Sequence, residues 1–210
     1  MLALFLNWTI DTYSYRMTTP LNLAIKGNHV DAVDLLLASS GKIESEDLWR
    51  VLDHHNEDMV SILLDHVVIC EDTYCMRTLM EKYPLYLFRK ALRTSPLDIL
   101  ITRHVLHVAA FSGNPEHIED ILERGLNINE VLSDMYVSFG VSTSNPTPLH
   151  VAVCRARIDN VKALLKHGAD HTIKDSAGLT PLELAIKSTR RHERRELYVP
   201  IVELLSTIGK

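Results

Sequence analysis

The sequence predicts an all-α solenoid, in which antiparallel helix pairs stack side by side and short hairpin fingers join them. Three observations predict it. First, Thr147-Pro148-Leu149-His150 is followed 33 residues later by Thr180-Pro181-Leu182-Glu183, and Thr19-Pro20-Leu21-Asn22 has the same form near the start; a fixed period of this length is the mark of a repeat array. Second, apolar residues after each such tetrapeptide recur at i, i+3 and i+4, as at Leu149, Ala152 and Val153, which is one face of a helix. Third, a leucine ends the second apolar run of every unit, at Leu37, Leu64, Leu92, Leu122, Leu165 and Leu205.

Each element of a unit follows from local chemistry. Thr180 is suited to cap a helix, because its hydroxyl accepts from a free N–H of the first turn. Pro181 fits the first helical position, where no N–H is needed. A second helix carries Val161, Leu164 and Leu165, and Gly168 ends it in the left-handed conformation that glycine tolerates best. Asp175-Ser176-Ala177-Gly178 then reads as a turn into the next Thr-Pro. One unit cannot cover its own apolar side; stacked copies bury a continuous core.

Taken in order, the chain divides into degenerate repeats over 1–94 (a partial unit and three more), a connector over 95–103, and three repeats over 104–210. Met1-Leu2-Ala3-Leu4 aligns with Lys162-Ala163-Leu164-Leu165, so the array is expected to begin inside a unit, as a truncated chain would. First-helix anchors fall at Leu21, Leu48, Met76, Leu106, Leu149 and Leu182. Three residues further on stand Ala24, Val51, Leu79, Ala109, Ala152 and Ala185, mostly small enough to let paired helices approach. Asn28 occupies the inter-helix turn of the first unit, and Pro84 splits the third unit into two helices. Ser95-Pro96-Leu97 resembles another helix start, but no whole unit fits before Leu106. A long finger over 130–146 carries Val131, Tyr136 and Phe139; it either binds a partner or folds back on the stack. The last unit is interrupted between its helices by 187–199, where Arg190-Arg191-His192-Glu193-Arg194-Arg195 reads as a solvated insertion, an import signal or a contact for an acidic partner.

Composition excludes several classes. The chain has 210 residues, 46% hydrophobic, and a formal net charge of −5, which gives no electrostatic reason to expect nucleic acid. Three cysteines, odd in number, fit a reducing intracellular compartment, cytoplasm or nucleus. No apolar run approaches the roughly 20 residues of a membrane helix. His66, Cys70 and Cys75, with His54 or His55, have loosely ligand-like spacing, yet no standard zinc pattern matches. Cys154 has no Cys–His context for nucleophilic catalysis, and no glycine-rich phosphate loop is present. No cofactor, metal or catalytic residue is therefore expected.

The 33-residue period and the Thr-Pro-Leu-His pattern at 147–150 and 180–183 resemble the ankyrin repeat. The resemblance implies an ankyrin-repeat α-solenoid. It also implies that His107 and His150 hydrogen-bond between neighbouring units. In that family, the fingers and the exposed side of the first helices form a concave surface that binds other proteins. Carried onto this chain, the exposed first-helix positions are Lys26, Asp53, His54, Phe111, Ser112, Cys154, Arg155, Lys187 and Ser188. Finger positions are Ser176, Ala177 and Leu179, with Tyr136 and Phe139 in the long finger. Lys26, Arg155 and Lys187 favour an acidic partner surface. The function expected is a monomeric, non-catalytic module that binds a protein, neither nucleic acid nor membrane. The alternatives are a recognition arm of a larger protein, such as a ubiquitin ligase or an effector, and a metal-assisted hydrolase around His66, Cys70 and Cys75.

Overall fold

The computed structural model describes residues 19–39, 51–52, 56–66, 73–102, 104–112, 114–132, 145–190 and 195–208. Those residues form helices joined by turns, with no strand among them. The chain divides into two compact units, Met1–Lys42 and Ile43–Lys210.

In the first unit, α1 (Pro20–Lys26) and α2 (Val30–Ala38) pack as a hairpin. Thr19 caps α1 by accepting from Asn22 N–H at 3.1 Å. Leu21, Ala24, Ile25, Val33 and Leu37 are buried.

The second unit has two layers. The described helices are α3 (Glu57–His66), α4 (Thr73–Lys82), α5 (Leu85–Thr94), α6 (Leu97–Thr102), α7 (Val105–Ser112), α8 (Pro115–Glu123), α9 (Pro148–Cys154), α10 (Ile158–Lys166), α11 (Pro181–Thr189) and α12 (Arg195–Ile208). Helices α4, α7, α9 and α11 pack each on the next and make the first-helix layer. Helices α3, α5, α8, α10 and α12 do the same in the second-helix layer. Pairs α4–α5, α7–α8, α9–α10 and α11–α12 join the layers, so these units stack in sequence order. Pro84 separates α4 from α5, as its fixed geometry demands. The connector holds the short helix α6, yet the helices on either side of it pack directly, α4 on α7 and α5 on α8.

The core follows the alternation of large and small residues. Ala109, Ala152 and Ala185 are fully buried between first helices, with Leu106 and Leu149 one turn earlier. Of the closing leucines, Leu64, Leu92 and Leu205 are buried, whereas Leu122 and Leu165 are half-buried. There the residue before, Ile121 or Leu164, takes the inner position. Leu182 is likewise half-buried, and Leu48 lies outside the described residues. Asn160 is the one buried asparagine of α10; its Nδ2 donates to the carbonyls of Ala109 and Ala110 at 3.1 Å each, tying α10 to α7.

Helix ends are set by capping. Thr147 and Thr180 form capping boxes with His150 and Glu183. Gly168 has φ +85°, and Ala169 N–H reaches back to Leu164 O at 2.9 Å, closing α10. Within 187–199, Lys187, Ser188 and Thr189 belong to α11, Arg190 is the turn that ends it, and α12 starts at Arg195 and carries Pro200 inside. In the long finger, Leu132 N–H donates to Pro146 O at 3.1 Å, which closes its base.

Candidate functional site

Two histidines connect the units. His150 lies in the first turn of α9, fully buried; its Nε2–H donates to Leu179 O at 3.0 Å. Its Nδ1 accepts from the Thr147 hydroxyl at 2.8 Å and the Thr147 N–H at 3.3 Å, which fixes this tautomer. His107, at the same place in α7, donates Nε2–H to Pro146 O at 3.1 Å. Pro146 and Leu179 each precede the threonine cap of the next unit. Each ring thus locks one first helix to the finger of its neighbour, as the sequence led us to expect. Burial lowers the pKa of both, that of His107 to about 4. They are neutral struts, not acid–base groups.

His104, His107 and Glu130 offer donor atoms within 4.8 Å of one another. His104 Nδ1 is held by Glu130 Oε1 at 3.0 Å, and His107 Nε2 by Pro146 O. A metal ion would have to compete with both hydrogen bonds, so the set reads as a capping network. Of the residues weighed above as a zinc set, Cys75 is buried and His66 exposed, while His54, His55 and Cys70 lie outside the described residues. No helix among the described residues is long and apolar enough to cross a membrane.

Three cations of the second helices are paired between neighbours: Arg89 with Asp120 at 2.8 Å, Lys90 with Asp65 at 2.7 Å, and Lys166 with Glu119 at 3.1 Å. Arg93 of α5 and Arg195 of α12 are exposed with no carboxylate partner among the described residues. The Lys166 ammonium lowers the pKa of Glu119. On the first-helix side, Arg155 and Lys187 are exposed and have no carboxylate partner among the described residues.

The anticipated site residues fall as follows. Lys26 is exposed, in the first unit. Arg155, Ser176, Ala177 and Lys187 are exposed, while Ser112, Cys154, Leu179 and Ser188 are half-buried. Ser176, Ala177 and Leu179 sit in a turn closed by Asp175, whose Oδ1 accepts from Ala177 and Leu179 N–H at 2.9 and 3.0 Å. Tyr136, Phe139, Asp53 and His54 lie outside the described residues. Phe111 departs from the exposed placement: it is only 6% exposed. Two cations lie over it, with the guanidinium carbon of Arg77 at 4.6 Å and that of Arg155 at 4.1 Å from the ring centroid. Arg77 was not anticipated at all. It occupies the position of α4 that His107 and His150 hold in α7 and α9, and that substitution was the signal available.

Comparison with known proteins agrees with this architecture. A family model described as ankyrin repeats in three copies matches residues 106–207, and a single ankyrin repeat matches 18–47. Human 2-5A-dependent ribonuclease is 35% identical over 82 residues, 39% of this chain and 10% of that protein. A putative ankyrin repeat protein of Rickettsia felis is 28% identical over 181 residues, 85% of this chain and 37% of that one. This chain therefore spans well under half the length of these relatives. Among solved structures, the ankyrin repeat domain of Bcl-3 matches with a TM-score of 0.63 at 21% identity, covering 91% of this chain and 86% of that domain.

Proposed function

We propose, from the premise that the chain belongs to the ankyrin repeat family, that it binds a partner protein through its first-helix ends and fingers, and that it performs no chemistry of its own. Repeats of this family generally mediate protein–protein interaction. The observation that carries the reading here is the pair of exposed cations at the ends of successive first helices. Three cations of the second helices are matched by carboxylates of adjacent helices. Arg155 and Lys187 are exposed, as are the turn residues Ser176 and Ala177, and neither cation has such a match among the described residues. A surface with unmatched charge beside preformed turns is suited to a partner of opposite sign.

Protein binders selected from a displayed library against the intact chain test this. A Ser176→Arg, Lys187→Glu variant should weaken them at least tenfold with the helical circular dichroism intact. Lys162→Glu, on exposed α10, should change them less than twofold. The reverse pattern would place the interface on the second helices and overturn the reading.

A further inference from the structure

The Phe111 stack deepens that reading and rests on it. Phe111 is the last large apolar residue of α7, and in a water-facing position it would be costly to leave bare. Arg77 comes from α4 and Arg155 from the end of α9, the two helices packed against α7 in the first-helix layer. Both planar groups lie over one ring, so their central carbons are no more than about 9 Å apart. Stacking on an aromatic ring fixes a guanidinium while leaving its N–H edge available, and that edge matches a carboxylate. Glu81 holds Nε of Arg77 at 2.8 Å. Neither the Nη groups of Arg77 nor the guanidinium nitrogens of Arg155 have an acceptor among the described residues. The result is two like charges held close together without full neutralisation, in a chain whose net charge is −5. That arrangement is unfavourable in the free protein and is relieved by a bound anion.

Spacing narrows the occupant. Lys187 stands on α11, one helix beyond Arg155. Packed helices lie about 8–10 Å apart, and a chain extended as polyproline II advances about 3.1 Å per residue and returns every third side chain to one face. An extended segment crossing the first helices therefore presents a side chain to each successive helix about every third residue. We propose that the Arg77–Phe111–Arg155 stack anchors an extended acidic segment of a partner protein, one carboxylate lying against the two guanidinium groups and a second, three residues away, reaching Lys187.

The test uses the intact chain and two fluorescent peptides of one composition. In one, glutamates stand at every third position among alanines and serines; in the other they are clustered. The spaced peptide should bind at least fivefold tighter. An Arg77→Gln, Arg155→Gln variant should lose at least tenfold of that binding, with its unfolding transition still cooperative. Phe111→Leu, which keeps an apolar side chain but removes the ring, should lose about threefold. Equal affinity for both peptides, no binding of the spaced peptide, or unchanged binding by the double arginine variant overturns the proposal. So does a single-stranded RNA of the same charge that competes as well as the spaced peptide, since the surface would then be a general polyanion site. If library binders still depend on Ser176 and Lys187 while the arginine variant behaves as the parent, the stack fails and the binding face stands. If the binders ignore that face, both fail.

Discussion

At the scale of single residues, the histidines carry a signed prediction. His107 is fully buried, and burial is the largest cause that brings its pKa from 6.5 to about 4; His117 and His150 are lowered for the same reason. A histidine whose folded pKa is depressed leaves stability intact above its unfolded pKa. As pH falls below about 6.5, the unfolded chain takes up a proton that the folded chain refuses, until about pH 4. For His107 alone the loss between pH 7 and 5 is about 2 kcal/mol. Urea unfolding across that range should show it, and His107→Gln should flatten the slope; an unchanged slope would mean the ring is not the neutral strut described. Phe111 shows where residue-level reading stops. Its place in the repeat marks it as exposed, and nothing at 111 itself reveals otherwise. Its burial depends on Arg77, 34 residues earlier, and Arg155, 44 residues later, reaching the same ring.

At the scale of elements, the inter-helix turn offers a sharper test than the helices do. Ala156 has φ +55°, and Asn28 in the equivalent turn of the first unit has φ +56°. Both turns close alike: Arg157 N–H donates to Ala152 O at 3.0 Å, and His29 N–H to Ala24 O at 2.9 Å. Asparagine tolerates the left-handed region, but alanine pays for its Cβ there. Ala156→Gly should therefore stabilise the chain by about 1 kcal/mol, read as a higher urea midpoint. A drop in the midpoint would show that the strain is not real. Most helices were legible because their signals are local: the Thr-Pro caps, the i, i+3, i+4 leucines and Pro84. The half-burial of Leu122, Leu165 and Leu182 was not, because a helix rotates as a body on its neighbours, and one column of letters does not record the angle. Helix α6 was legible only as a start signal.

At the scale of the whole molecule, order along the chain becomes order in space within the second unit: α4, α7, α9 and α11 on one side, α3, α5, α8, α10 and α12 on the other. Such a stack is stabilised chiefly by contacts between neighbours, which is why weak units persist between strong ones. Function was less legible than fold. Periodicity is written in apolar residues, whereas a binding face is defined by which charges the neighbouring helices leave unmatched, and that requires coordinates. The central claim is that the first-helix ends and turns are the surface that meets a partner. Hydrogen exchange of the intact chain with and without a selected protein binder tests it most directly. The account predicts slowed exchange at 154–157, at 175–179 and at the end of α11, with α10 and α12 unchanged. Slowing confined to α8, α10 and α12 would contradict it.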